Sequence, residues 1–423
     1  MKISLARLIT VVVLVSLWTA APAQAQIFGQ TKSGAYYTIA VPEVWNGTLV
    51  IWNHGYDFSP IAPEPSLGPL AAVQLSEGYA VAASSYRQNQ WAVFDTADDL
   101  EELGKAFIHH VGKPNSVILT GASLGGIVTA DALERSHIPR IAGAFAFCGA
   151  MAGSRVWDGA QDIRLTYDVI CSDVAPIPGG ATGLPEVPGV IDPTAVAIAT
   201  NICMGTLLPP VLRTPEQQAN MDQFLAATML PENFIITDMV FGTNGLANLI
   251  FDERKLHGRQ GVGNKGVKYS EREVNAKIER VKVDKRAAHR LRKNFTPRGR
   301  VRGDMKIISI HTDKDGLVIV ENESEYQKVV KPENLTVAIA VEDVPTHCGF
   351  STAEVAAGWE SLRGWIAGAP QPNAAVLQGT CQFIEASGSP GPCRYDPTYV
   401  IGDMDDRIPP RDNARKKKKR HHH

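Results

Sequence analysis

The chain has 423 residues and 45.7 kDa, 44% hydrophobic and 20% charged, so it can bury a large core and is neither disordered nor a small disulfide-stapled scaffold. Forty-two Lys and Arg against 44 Asp and Glu leave a formal charge of −2, which excludes a global electrostatic pull toward nucleic acid or an anionic membrane. The length fits two to three folding units, or one large domain carrying an insertion.

The first 25 residues read as a signal peptide. Lys2 and Arg7 form a positive start, Leu8 to Trp18 is an uncharged apolar run, and Ala23-Gln24-Ala25 is a small-x-small cleavage site, with the cut expected after Ala25. The apolar run is shorter than the ~20 residues a spanning helix needs. No later segment reads as membrane-spanning, so the expectation is a secreted or periplasmic protein with no stable membrane insertion.

From residue 36 to 150, short apolar runs alternate with helical patterns. The runs are Gly47 to Asn53, Gly78 to Ser84, Ser116 to Thr120 and Ala142 to Cys148, and the helices between them are expected over 67–77, 97–111 and 124–136. Strands apolar on nearly every residue, separated by helices, predict a mostly parallel sheet covered on both faces. From 151 to 302 the pattern stops. Pro176 to Pro193 holds five prolines, and residues 251–306 carry 18 Lys and Arg against 7 Asp and Glu. Those charges recur around Val274, Ile278, Val281 and Leu291 as on the wet face of an amphipathic helix, which favours solvation over nucleic-acid binding. The Pro and Gly content predicts loops more than a packed second core. Strand patterns resume at Met305 to Thr312 and Leu335 to Val341, and a helix is expected over 352–367. This divides the chain into an α/β core of 26–150 and 303–370, an insertion of 151–302, a cysteine-containing loop extension of 371–414, and a basic, disordered tail of 415–423.

Chemistry concentrates at strand ends. Gly121-Ala122-Ser123-Leu124-Gly125 matches G-x-S-x-G directly after one apolar run and before a helical pattern, the strand, tight turn, helix context that lifts a serine Oγ clear of a sheet. A serine hydroxyl needs a base to attack an acyl carbon, and the base needs an orienting carboxylate. Asp315 follows the penultimate strand and His347 follows the last, so Ser123, Asp315 and His347 are the candidate triad, with Asp313 the rival acid two residues away. His311 lies inside a strand and precedes the acid, which marks it as a packed residue. Val50 to Tyr56 ends in His54-Gly55-Tyr56, a turn suited to aim the Tyr56 N–H at an oxyanion with the Leu124 N–H as second donor; His54 itself reads as a structural loop residue.

Six cysteines, 148, 171, 203, 348, 381 and 393, are an even set in a compartment where disulfides persist, and none forms the C-x-x-C pair of a zinc site, so neither metal nor cofactor is expected. Six cysteines allow 15 pairings. Cys171 and Cys203 bracket a Pro/Gly-rich stretch, and Cys381 and Cys393 flank a turn-rich loop.

The leader, strand-HGY, GASLGG, DxDGLV and THCGF together resemble a secreted or periplasmic α/β-hydrolase of the esterase/lipase superfamily. The resemblance covers about residues 36 to 150 and 303 to 368. It implies the α/β-hydrolase fold, a mostly parallel sheet with helices on both faces, and hydrolysis of small or polymeric carboxylic esters by Ser123, Asp315 and His347 without a cofactor. It implies a lid for the insertion. Peptidase or amidase chemistry on the same triad, and a non-catalytic hydrolase-fold binding protein, are the other readings. The Cys after His347 is similar to the tannase and feruloyl esterase pattern, where it bonds a Cys preceding the serine; here Ala122 holds that place. In this fold the end of the strand at Cys148 lies on the same edge as Cys348, which makes Cys148–Cys348, Cys171–Cys203 and Cys381–Cys393 one expected set, with free, packed cysteines as the alternative.

Overall fold

The computed structural model describes residues 25–179 and 191–411. The leader, apart from Ala25, and the basic tail lie outside the described residues. The strands are β1 (Ala25–Gln30), β2 (Tyr36–Val41), β3 (Thr48–Asn53), β4 (Ala80–Ser84), β5 (Ser116–Ala122), β6 (Ile141–Phe147), β7 (Lys306–Thr312) and β8 (Leu335–Ala340). They form one sheet in the order β1-β2-β4-β3-β5-β6-β7-β8. From β4 to β8 every pairing is parallel, and β1 and β2 add an antiparallel edge. This is the α/β-hydrolase fold. The two edge strands go beyond the sequence reading, because Ala25-Gln26-Ile27-Phe28-Gly29-Gln30 is too polar to register as an apolar run.

The helices, in chain order, are α1 (Ala71–Ser76), α2 (Thr96–His110), α3 (Leu124–Arg135), α4 (Val156–Cys171), α5 (Pro193–Met204), α6 (Pro215–Thr228), α7 (Ile235–Val240), α8 (Leu246–Phe251), α9 (Arg272–Lys277), α10 (Lys285–Phe295), α11 (Asn322–Gln327), α12 (Thr352–Ile366), α13 (Ala374–Ala386) and α14 (Met404–Arg407). Strand periodicity sorts the core into two layers. Leu49 and Ile51 of β3 and Val117 and Leu119 of β5 pack with Leu103 and Phe107 of α2 and Ile127 and Val128 of α3. Their neighbours Val50, Trp52 and Ile118 face the other way, onto Leu75 of α1, Trp359 and Leu362 of α12 and Leu377 of α13.

The insertion departs from expectation. It is helical and has its own apolar cluster, in which Tyr167, Val196, Met204, Phe224, Ile235 and Met239 are buried, pinned by the Cys171–Cys203 disulfide. Two of its prolines start helices instead of making loops. Pro193 and Pro215 stand in the first turns of α5 and α6, behind N-caps Asp192 and Thr214, and Thr214 with Gln217 forms a capping box. The basic stretch is not one amphipathic helix but the separate α9 and α10, although Val274, Ile278, Val281 and Leu291 are all buried. Against the expectation that no later segment has spanning character, the helical run Glu232–Phe251 is long and apolar enough by length and composition to cross a membrane. Its apolarity is met inside the protein, where 61% of it is buried.

The C-terminal extension is also structured. α13 carries Cys381, bonded to Cys393, and Tyr395 bridges Ala340 at the edge of β8. Its anchor is Glu354, fully buried in the first turn of α12. This carboxylate accepts from the Ser351 N–H (2.8 Å), the Arg394 N–H (2.8 Å) and the Arg394 guanidinium (2.8 and 3.0 Å). Beyond it, Arg407 reaches the Met229 carbonyl and Arg411 pairs with Asp158 and Asp162 of α4, so the chain's end straps back onto the insertion.

Removing one partner of a buried ion pair leaves the other charge uncompensated. Glu354→Ala should therefore cost about 3 kcal/mol or more of unfolding free energy, measured by denaturant titration, and a loss under about 1 kcal/mol would show that the C-terminal segment does not depend on this carboxylate.

Candidate active site

In the sheet order β3 lies between β4 and β5, so the chain leaves β3 toward one side and returns to the other. A crevice opens at the carboxyl ends of strands where the order reverses in this way. The loop after β3 and the turn after β5 meet there.

Ser123 is the single residue between β5 and α3, with φ +56° and ψ −123°. A non-glycine residue held there stores roughly 1–3 kcal/mol of strain. Two glycines leave the turn no alternative: a Cβ on Gly121 would overlap the Gly125 carbonyl, and a Cβ on Gly125 would overlap the Asn53 carbonyl at the end of β3. Strand and helix thus close on each other, and the serine is pushed out at the crossing.

His347 and Asp315 come to this point from the ends of β8 and β7. The Ser123 hydroxyl donates to His347 Nε2 (2.9 Å), and His347 Nδ1–H donates to Asp315 Oδ2 (2.7 Å). The other Asp315 oxygen accepts the Leu317 and Val318 N–H groups, both at 3.0 Å. Asp315 is 3% exposed, and these bonds give its carboxylate the partners that burial requires. Asp313 faces elsewhere and accepts the Glu342 N–H (2.7 Å). Glu342 in turn accepts the Thr346 N–H and hydroxyl, fixing the loop that presents His347.

His311 is fully buried and does not touch Ser123; its Nε2 donates to the Val318 carbonyl (2.6 Å) and its Nδ1 faces Glu323 at 3.2 Å. Burial opposes its protonation, but the hydrogen bond and charge of Glu323 and the charge of Asp315 outweigh burial and raise its pKa. It braces the turn whose amides hold Asp315.

On the β3 side, Gly55 packs against Ser123, where a Cβ would lie 3.4 Å from the serine Cβ. His54 stacks on Tyr86 with ring centroids 4.2 Å apart, and its Nδ1–H donates to the Gly55 carbonyl (2.8 Å). Burial lowers its pKa, which keeps the ring neutral. A trans peptide points C=O and N–H in opposite directions, so holding the Gly55 carbonyl also orients the Tyr56 N–H. Leu124, the first residue of α3, has an N–H without an intrahelical acceptor by position.

The Cys148–Cys348 disulfide ties the residue after β6 to the residue after His347 across 200 positions. Cys348 Sγ lies 3.5 Å from His347 Nε2, and both cysteines have positive φ, +47° and +57°. Their sulfurs, grouped with His347 closely enough for a metal, are spent on one another.

A cavity of about 530 Å³ opens beside Ser123, lined by Tyr56 and Leu124 from the sheet side, Trp157, Asp238 and Phe241 from the insertion, and Ile408 to Pro410 from the C-terminal strap. Tyr56, Phe58 and Phe241 meet edge-on, and Asn233 donates to the Pro345 carbonyl in the histidine loop, so insertion and core are in direct contact. Trp91, Asp238 and the strap residues are absent from the sequence reading. No motif marks them, because each reaches the cavity through tertiary packing alone.

No family model matches the chain, and no curated protein matches it. Among solved structures it is similar to Candida antarctica lipase A, at 15% identity and a TM-score of 0.43, over 88% of this chain and 89% of that one. It is also similar to an esterase from Pyrococcus furiosus, at 15% and 0.40 over 83% of this chain and 92% of that one. A third likeness is to an acylaminoacyl peptidase from Pyrococcus horikoshii, at 12% and 0.40, over 92% of this chain but 44% of that one. The fold rests on the strand order and the turn at Ser123, not on overlaps of this quality.

A 200-residue closure implies an entropic contribution of about 5 kcal/mol from the Cys148–Cys348 bridge. The double variant Cys148→Ala/Cys348→Ala should melt well below the parent under non-reducing conditions, and an unchanged melting temperature would refute a stabilising bridge.

Proposed function

We propose that the chain is an exported serine hydrolase that cleaves carboxylic esters through an acyl-enzyme intermediate. The observation that carries this reading is the continuous hydrogen-bonded line from Ser123 through His347 to Asp315 at a strained strand-to-helix turn. Ser123 Oγ attacks the ester carbonyl while His347 Nε2 takes its proton. His347 returns that proton to the leaving alcohol, then activates water for the second half-reaction. Asp315 keeps the proton on Nδ1 and stabilises the imidazolium. The Tyr56 and Leu124 N–H groups hold the oxyanion, with His54 as positioning residue for the first.

Three disulfides favour an oxidising compartment, which fits export. The insertion acts as a lid that selects the substrate, because its side chains form much of the cavity wall.

Ser123→Ala should lower kcat for a chromogenic ester by at least about 10⁴-fold and abolish labelling by a fluorophosphonate, with the circular dichroism spectrum unchanged. Retained labelling would overturn the assignment. Asp315→Asn should lose about 10⁴-fold in kcat, because the amide favours the wrong histidine tautomer, whereas Asp313→Asn should lose far less. The opposite ranking in steady-state kinetics would move the acid to Asp313.

A further inference from the structure

Most of the cavity wall beside Ser123 is apolar, made by side chains such as Val156, Ile163, Leu230, Phe241 and Ile408. Four carboxyls interrupt it: Asp162 pairs with Arg411, Asp405 pairs with Arg155, Asp406 is exposed, and the fourth is buried without a hydrogen bond. Asp238, on α7, is 5% exposed, and its Oδ2 has no hydrogen-bond partner. Its place is fixed from outside: Phe234, just before α7, packs so closely on Gly316 that a Cβ there would collide with the ring, which sets α7 over the Asp315 turn.

An unpaired buried polar atom is costly; Asp315 and Glu354 avoid that cost, and Glu323 leaves Oε2 unpartnered but is hydrogen-bonded through Oε1. Asp315 accepts three hydrogen bonds, Glu354 is met by Arg394, and Glu323 binds Ser309 and faces His311. Burial, and then the negative charge of Asp315, hold the Asp238 carboxyl well above the usual carboxylate range. The same two effects favour the protonated form, which offers an O–H donor. Trp91 and Trp157, whose rings meet edge-on at 5.3 Å, form another part of the same wall.

We propose that Asp238 forms a polar subsite that binds an oxygen acceptor on the arm of the ester entering the cavity. Esters of oxygenated chains, bearing a hydroxyl, a ketone or an internal ester, are then preferred over plain hydrocarbon chains. The inference rests on the serine-hydrolase reading only in placing an ester at Ser123. A plain alkyl arm leaves the buried carboxyl unpaired, which is how a hydrogen-bonding subsite rejects the analogue that lacks the acceptor. A cationic arm would require an ionised carboxylate, which both burial and Asp315 oppose.

The test uses the full chain and matched chromogenic esters, an alkyl arm against the same arm with a terminal hydroxyl or a ketone, varied on the acyl side and on the alcohol side. In at least one series the wild type should favour the oxygenated ester by about tenfold or more in kcat/KM. Asp238→Asn, which mimics the protonated acid in shape and in having both donor and acceptor, should keep that ratio within about threefold. Asp238→Leu should bring it to about one, mainly by raising KM for the oxygenated ester.

A wild-type ratio near one in both series overturns the proposal. So does loss of the ratio in Asp238→Asn, or a wild-type preference for a quaternary-ammonium ester that this variant abolishes. If the Leu variant does not fold, the wild type and the Asn variant decide the matter. Failure of the underlying reading looks different: no ester is hydrolysed and the fluorophosphonate does not label Ser123.

Discussion

The structure hangs on a steric exclusion, the absence of room for a Cβ where β5, α3 and the end of β3 converge. Glycine at 121 and 125 lets the Gly125 and Asn53 carbonyls approach the turn, and that closeness drives Ser123 into its left-handed conformation. A residue with a side chain at either glycine would push α3 away from β3, and the serine would sink back toward the strand. The loop after β3 is aligned by the same approach, since Gly55 packs against Ser123 and His54 fixes the following peptide. One packing constraint therefore sets both the position of Ser123 and the direction of the Tyr56 N–H beside it.

The partners of Ser123 are held by a different logic, in which buried charge is satisfied by local backbone. Asp315 reaches His347 with one oxygen because the amides of Leu317 and Val318 occupy the other, and His311 braces the carbonyl of Val318 behind them. The histidine loop is tied down by Glu342 through Thr346 and by the disulfide at Cys348. Nothing comparable serves Asp238, whose Oδ2 has no hydrogen-bond partner.

Much of this was legible in the sequence, and the residues explain why. The parallel strands announce themselves because both faces are covered, so Ala80–Ser84 and Ile141–Phe147 are apolar almost throughout. The meeting of Ser123, Asp315 and His347 follows from their order along the chain once those strands are placed. The insertion was misread because proline counts toward loops in composition but toward helix starts when it follows Asp192 or Thr214, and only the position after the cap distinguishes the two. The extension after Pro370 was read as loop although Asn373 caps α13, since its helix packs through few residues, chiefly Leu377 and Cys381. Asp238, Trp91 and the strap are invisible for a deeper reason. They meet only in space, and no local pattern encodes the wall of a cavity.

The C-terminal strap has a consequence for biosynthesis. Ile408 to Pro410 form part of the cavity wall, and Arg411 locks onto Asp158 and Asp162 some 250 positions earlier. When a ribosome has just completed the helix α12, all three residues of the proposed triad have been translated, yet the cavity is still open along one side. The last wall arrives with the final described residues, so a nascent or prematurely terminated chain holds the chemical groups without the enclosure that would select a substrate. Enclosure of the cavity thus waits for residues 408–411 and is not built up gradually along the chain.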